Sequence, residues 1–196
     1  MTSQLNEASL KQLFLDARTV HGFLPEAVSD EQIHQIYDLM KWAPTSFNGQ
    51  HARFVFLKTD EAKARLNPAL TPGNVPQVAA AAATVIVAYD TQFFENFATQ
   101  FTAINPKPFY DTKPEFADAT AFRNSSIQGG YLILAVRALG LDCGAMSGFD
   151  NAKVNAEFFP DGRFKSNFLL NIGRADPKGI WPRGPRLPFN EVAQIL

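Results

Sequence analysis

The sequence has 196 residues, of which 18 are basic and 19 are acidic, and its formal net charge is -1. A chain of this length buries one sizeable core without help from a disulfide or a metal, and its charge gives it no electrostatic reason to bind nucleic acid or an anionic membrane. A single cysteine, Cys143, and a polar start without a secretory h-region predict a cytoplasmic protein. The longest apolar run, residues 78–89, is too short to span a bilayer, so we expect one domain over residues 1–196 and no membrane segment.

The first half of the chain alternates helical and strand patterns. In chain order we predict a short helix at 10–17, a helix that starts with the capping box of Ser29 and Gln32 and ends by Pro44, a strand at 53–58, a short helix at 61–66, a loop at 67–76, a helical stretch at 80–83 and a buried strand at 84–89.

The second half contains the longest helical pattern, residues 119–139, which is apolar around almost its whole circumference after residue 127. Such a helix belongs inside the molecule or at a subunit interface. Gly140 is placed to cap it, and a strand at 142–145, a helix at 151–159 and a strand at 167–172 follow. Strands separated by helices predict a mixed sheet with helices on its faces.

Phenylalanine is unusually frequent, with eighteen in the chain and several between Phe93 and Phe122. Prolines and charged residues interrupt this stretch. It fits either an ordinary core or a flexible aromatic flap over a planar ligand, and the pattern leaves both open.

Several common site chemistries have no motif in the sequence. Neither a GxGxxG fingerprint nor a GxxxxGK[ST] loop is present. His21, His34, His51 and Cys143 do not have metal-ligand spacing, so we expect no metal site. The pair Ser125-Ser126 lies in a helical pattern and not in a GxSxG elbow.

Four basic residues stand in or beside loops near the two ends of the chain: Arg18, His21, Arg183 and Arg186. Arginine presents a planar fork of donors that matches phosphate oxygens, and charge-assisted bonds are about twice as strong as neutral ones. The set therefore suggests a phosphate site. Taken one at a time, each residue fits equally well as a solvated surface residue.

Two motifs in the first quarter resemble those of the nitroreductase superfamily. The segment Asp16–Phe23 (DARTVHGF) resembles the opening motif, which implies that Arg18, Thr19 and His21 hold the phosphate and ribityl chain of FMN. The segment Trp42–Gln50 (WAPTSFNGQ) resembles the A-P-[ST]-[ST]-x-N-x-Q motif. That likeness implies that Pro44, Thr45, Ser46 and Asn48 reach a flavin bound mainly by the other subunit, and hence a homodimer.

Two further motifs follow in the family's order. The segment Asp142–Phe149 (DCGAMSGF) is similar to the P-x-x-G-F turn, which implies that Met146, Ser147 and Gly148 face flavin N5 and O4. The segment 182–188 (PRGPRLP) resembles the C-terminal R-x-P-R pattern, which implies that Arg183 and Arg186 close on the phosphate. The resemblance predicts an α/β (α+β) nitroreductase-like fold, with a mixed, mainly antiparallel sheet flanked by helices in an intertwined homodimer.

More narrowly, the segments 122–128, 146–150 and 165–173 look like the malonic semialdehyde reductase branch. This implies reduction of 3-oxopropanoate to 3-hydroxypropanoate in pyrimidine catabolism, by ping-pong hydride transfer from NADH or NADPH through flavin N5. His51-Ala52 replaces the family's usual Pro-Trp, and Ser147 stands where a Glu is common. These departures leave open a broad nitroreductase or quinone reductase and a non-catalytic flavin-binding protein, and they leave the nicotinamide preference unassigned.

The remaining candidate residues concern the flavin edge and the substrate. Asn74 and Gln77 fit either the flavin's pyrimidine edge or an ordinary polar turn. Arg123 or Arg53, with His51 or Lys107 behind them, would orient a substrate carboxylate, and Arg123 fits an ordinary ion pair equally well. No side chain is assigned as a proton donor, since the flavin carries the hydride.

Overall fold

The computed structural model describes residues 3–196. Its helices are α1 Glu7–Leu10, α2 Asp30–Met40, α3 Asp60–Ala64, α4 Val75–Ala80, α5 Phe97–Gln100, α6 Lys107–Asp111, α7 Pro114–Ala138, α8 Asn151–Phe158 and α9 Phe189–Val192. Its strands are β1 Ala52–Leu57, β2 Ala83–Asp90, β3 Asp142–Met146 and β4 Phe164–Gly173. Helix α1 runs directly into a π-helical turn, Lys11–Leu15.

The four strands form one sheet in the order β1-β2-β4-β3, and every neighbouring pair is antiparallel. A single parallel bridge joins Thr19 to Cys143 on the outer side of β3. The predicted mixed, mainly antiparallel sheet is thereby confirmed. The strands β1 and β3 are the two edges of the sheet. The segment before β1 is therefore separated from the residues that flank β3 by the two central strands, β2 and β4.

Alternate residues of the central strands face two separate cores, as the two-residue period of a strand requires. Val85, Val87, Leu170 and Ile172 pack with α2 and α7 on one face. On the other face, Ile86, Ala88 and Leu169 pack with residues of α4 and α8. All these strand residues are buried, which explains why β2 and β4 read as continuous apolar runs.

The phenylalanine-rich stretch forms a third core at the end of the sheet. Phe93 and Phe97 are fully buried, and Phe93 packs edge-on against both Phe97 and Tyr110. Phe109 and Phe116 remain about half exposed. The core interpretation therefore holds for the inner rings, while the outer rings form a partly exposed aromatic surface.

Two predicted elements need correction. The stretch 80–83 is not a helix, because α4 occupies Val75–Ala80, Ala81 is extended, and β2 already begins at Ala83. The predicted loop at 67–76 is accordingly shorter, because it contains a 3-10 turn at Asn67–Ala69 and ends where α4 begins at Val75. Within residues 3–196, no helix is both long and apolar enough to cross a membrane.

Candidate functional site

A cationic cavity of about 330 Å³ lies where the two ends of the chain meet. Its lining includes the side chains of Arg18, Arg137, Arg183 and Arg186 together with His21, and no carboxylate is among the lining residues. The structure thus brings together all four predicted phosphate residues and adds Arg137. We call this the anion cavity.

The guanidiniums of the anion cavity are held by backbone carbonyls at the end of the α1 and π-helical segment. Arg18 Nη1 donates to the carbonyls of Leu15, Asp16 and Ala17 at 2.9–3.2 Å. Arg183 Nη2 donates to the carbonyls of Phe14, Leu15 and Ala17 at 2.6–3.2 Å. The last carbonyls of a helix have no partner within it and carry partial negative charge, so they attract cations.

A chain of hydrogen bonds connects the anion cavity to the turn around Gly148 that follows β3, which we call the glycine turn. His21 Nδ1 donates to Gln77 Oε1 at 3.1 Å, Gln77 Nε2 donates to Asn74 Oδ1 at 3.3 Å, and Asn74 Nδ2 donates to the Gly148 carbonyl at 2.9 Å. On its other side the His21 ring stacks on Trp181, with ring centroids 4.2 Å apart. Asn74 and Gln77 therefore link the opening motif to the turn after β3 and are more than an isolated polar turn.

The glycine turn itself is closely packed. A Cβ on Gly148 would lie 2.7 Å from Asn74 Nδ2 and 2.8 Å from Thr71 Oγ1. Met146 is the last residue of β3, and Ser147 after it is exposed. Because a strand rises about 3.4 Å per residue, β3 places this turn about 10 Å from Cys143, the residue bridged to Thr19 beside the anion cavity.

The predicted segment at 44–48 has an unusual backbone. Phe47, Asn48 and Gln50 have positive φ angles of 50°, 49° and 44°. Left-handed φ in residues other than glycine costs free energy and concentrates at functional sites. Two hydrogen bonds hold this backbone in place. Gln50 N donates to Thr45 Oγ1 at 3.1 Å, and Ser46 N donates to Asn124 Oδ1 at 2.8 Å.

This segment does not meet the anion cavity within one chain. It precedes β1, whereas the cavity flanks the opposite sheet edge, β3. Its surroundings are aromatic: Phe47 packs edge-on against Phe97, Phe101 and Tyr110. Pro44 and Asn48 are exposed, and Asn48 Nδ2 donates to the Gln100 carbonyl at 3.0 Å.

The structure argues against a substrate role for His51. Its side chain is fully buried against Phe93, and neither ring nitrogen has a hydrogen-bond partner. Burial, with a smaller contribution from the Arg53 charge and partly offset by Asp90, lowers the pKa of His51 to about 4. The imidazole is therefore a neutral core group.

The other substrate candidates differ in availability. Arg53 Nη2 is 2.7 Å from Asp90 Oδ2, and the buried Asp90 also pairs with Arg163, so the Arg53 guanidinium is already engaged in an ion pair. Lys107 pairs with Asp111 at 2.7 Å. Arg123 is exposed on α7, and within residues 3–196 no carboxylate lies within 4.0 Å of it. Arg123 is accordingly the candidate whose charge remains open to a ligand.

Cys143 also lies beside the cavity, but it is buried, and burial raises the pKa of its thiol to about 11. A neutral thiol is a poor nucleophile. It serves as a small apolar residue of the core.

Comparisons with a family model and with related sequences point to the same protein family. The model of the nitroreductase family matches residues 15–173. A relative from Rhodopseudomonas palustris (strain TIE-1), with the provisional name NADH dehydrogenase/NAD(P)H nitroreductase, is 52% identical over 196 residues, which is 100% of both chains.

Solved structures agree in fold. A provisionally named nitroreductase from Bacillus subtilis superposes with a TM-score of 0.87 at 25% identity, covering 97% of this chain and 100% of that one. A provisionally named nitroreductase from Exiguobacterium sibiricum, solved in complex with FMN, gives a TM-score of 0.81 at 22% identity and covers 100% of both chains. The predicted nitroreductase-like α+β fold is confirmed.

Proposed function

This chain belongs to the nitroreductase family, and we propose that residues 1–196 form a single FMN-dependent oxidoreductase domain that takes electrons from NADH or NADPH. The observation that carries the proposal is the anion cavity, which is lined by four arginines and by no carboxylate. It lies beside the start of β3, the strand that leads to the glycine turn. The name of the Rhodopseudomonas palustris relative and the FMN complex of the Exiguobacterium sibiricum structure support it.

The residues present fit FMN. Its phosphate suits the guanidiniums of Arg18, Arg183 and Arg186, because arginine forks match phosphate oxygens. The close packing of Gly148 against Asn74 and Thr71 leaves no room for a Cβ and fixes the turn next to Asn74. FMN supplies the hydride chemistry when bound, and the protein supplies position and electrostatics. Asn74 and Gln77, already fixed between His21 and Gly148, orient the pyrimidine edge.

The position of the segment 44–48 supports a homodimer. A segment with a strained backbone and exposed polar groups stands at the β1 edge, away from its own anion cavity. A second copy brings that segment to the flavin, with the aromatic core behind it. Thr45, Ser46 and Asn48 of one copy then complete the site of the other.

The surface of the chain offers the contacts that such a dimer needs. Ile127 and Tyr131, four residues apart, form an exposed apolar face on α7. Beyond residue 186 the tail exposes Leu187, Phe189, Val192, Ile195 and Leu196. The outer edge of β1 has no strand partner within the described residues, and exposed edges of this kind are normally covered. We place the tail of the second copy along β1, in the cavity of about 670 Å³ beside Phe54 and Phe56.

Light scattering of the full chain and of a chain ending at Pro188 tests this arrangement. The full chain is expected to be a dimer, and the shortened chain is expected to dissociate at lower concentration because it lacks four exposed apolar side chains. A full-length monomer at all concentrations contradicts the dimer, and equal dimer stability of the two chains contradicts the placement of the tail.

For the substrate we propose 3-oxopropanoate, reduced to 3-hydroxypropanoate. What supports it is the exposed, unpaired Arg123 on the helix face assigned to the interface, together with the branch resemblance. The alternative is a broad nitroreductase or quinone reductase with the same flavin site. The kcat/KM values for malonic semialdehyde, nitrofurazone and menadione separate the two. Arg123→Gln is expected to raise KM for the aldehyde acid and to leave menadione unaffected; equal effects on both contradict the anchor.

A further inference from the structure

Resting on the proposed function, we propose that Arg137 is a further ligand of the flavin phosphate and makes the site select FMN over riboflavin. Arg137 lies in the last turn of α7 and lines the anion cavity together with Arg18, Arg183 and Arg186.

The backbone of Arg137 is fixed from outside its own helix. Gln12 Nε2 donates to the carbonyls of Arg137 and Ala138 at 2.6 and 3.3 Å. Arg137 Nη1 in turn donates to the Leu13 carbonyl at 3.0 Å. All three bonds run to the segment whose carbonyls hold Arg18 and Arg183. The guanidinium is therefore held in position and half-buried before any anion arrives.

Within residues 3–196, no carboxylate lies within 4.0 Å of the Arg137 guanidinium. Elsewhere in the described residues Arg53, Arg65, Arg163 and Arg174 each have a carboxylate within 4.0 Å, and only the exposed Arg123 on α7 has none. The four arginines of the anion cavity have none, and their partners are neutral carbonyls. Cations gathered without a counterion repel one another, so the arrangement is stabilised by a dianion bound among them.

The guanidinium also keeps donors for that anion. A guanidinium has five N–H donors; Arg137 Nη1 donates to the Leu13 carbonyl, and the side chain also bonds to the buried Cys143 thiol, so both of its protein partners are neutral. Asp142 lines a smaller cavity of about 130 Å³ together with Arg137. Asp142 Oδ2 already accepts the backbone N–H of Ala175 at 3.0 Å. The remaining donors of Arg137 are thus available to a phosphate.

Fluorescence titration of apoprotein with FMN and with riboflavin tests the proposal, using Arg137→Gln, Arg137→Lys and the control Arg174→Gln. Arg174 is close to the end of α7, where it donates to the Gly140 carbonyl, but it does not line the anion cavity. Loss of a charge-assisted bond is expected to weaken FMN binding about 10-fold or more in Arg137→Gln, with riboflavin binding unchanged. Arg137→Lys is expected to lose less, and Arg174→Gln nothing.

The outcomes distinguish this proposal from the proposed function. The role of Arg137 is overturned if wild-type protein binds both flavins equally. It is also overturned if Arg137→Gln keeps full affinity for FMN or loses affinity for both flavins alike. None of these results contradicts the proposal that the protein binds a flavin. If Arg137→Gln does not fold, the FMN-selective loss in Arg137→Lys decides. Wild-type protein that binds neither flavin overturns the proposed function as well.

Discussion

The buried His51 predicts an acid-sensitive fold. Its pKa falls from 6.5 to about 4 on folding, mainly through burial, so the unfolded chain binds a proton first as the pH is lowered. Stability is therefore complete above pH 6.5, falls between pH 6.5 and about 4, and levels off below. The whole effect corresponds to about 3 kcal/mol, of which about 2.5 kcal/mol is lost by about pH 4.5.

Urea unfolding at pH 7.5 and at pH 4.5 measures this loss. Carboxylates also titrate in acid, so the test compares wild type with His51→Leu, which removes the titrating group and two unpartnered nitrogens. The leucine variant is expected to lose about 2.5 kcal/mol less than wild type on acidification. His34→Gln on α2 is the control and should lose as much as wild type. Equal losses in wild type and His51→Leu would refute the reasoning.

Three further predictions rest on close contacts and burial. Gly144→Ala places a Cβ against the Val20 carbonyl oxygen and should lower the free energy of unfolding in urea by about 2 kcal/mol or more. Gly130→Ala, which meets open space in this chain, should not lower it, and equal stability of the two variants would contradict this. Asp90→Asn removes the buried carboxylate that Arg53 and Arg163 share and should cost about 3 kcal/mol, so an unchanged melting temperature would exclude a structural role for the pair. Iodoacetamide at pH 8 should label Cys143 only in unfolded protein, because its thiol is buried with a pKa of about 11; rapid labelling of native protein would contradict this.

Local patterns predicted the elements whose boundaries are set by local bonds. The capping box of Ser29 and Gln32 starts α2 as expected, because both of its hydrogen bonds lie within four residues. Gly140 has a φ of 72° after α7, a conformation that glycine adopts without strain. The same patterns failed at 80–83, where alanine favours helix but the pairing of Ala83 with Ile172 in the sheet decides the structure.

Some residues of the candidate site could be predicted from the sequence, and others depend on tertiary packing. Arginines in loops at the two chain ends were predicted to share a phosphate, and the fold places them around one cavity. Arg137 was missed because it belongs to an apolar helix, and only the tertiary packing of the π-helical turn Lys11–Leu15 against the end of α7 reveals its place. His51 was a candidate because a histidine can supply a cation to a substrate carboxylate, whereas its burial is a property of the folded chain.

The visible spectrum of the purified protein tests the central claim most directly. We expect a yellow protein, or a colourless one that turns yellow with FMN, whose flavin band disappears under anaerobic NADH or NADPH and returns when malonic semialdehyde or menadione is added. Protein that stays colourless with FMN, or a bound flavin that stays oxidised with both nicotinamides, would contradict the account.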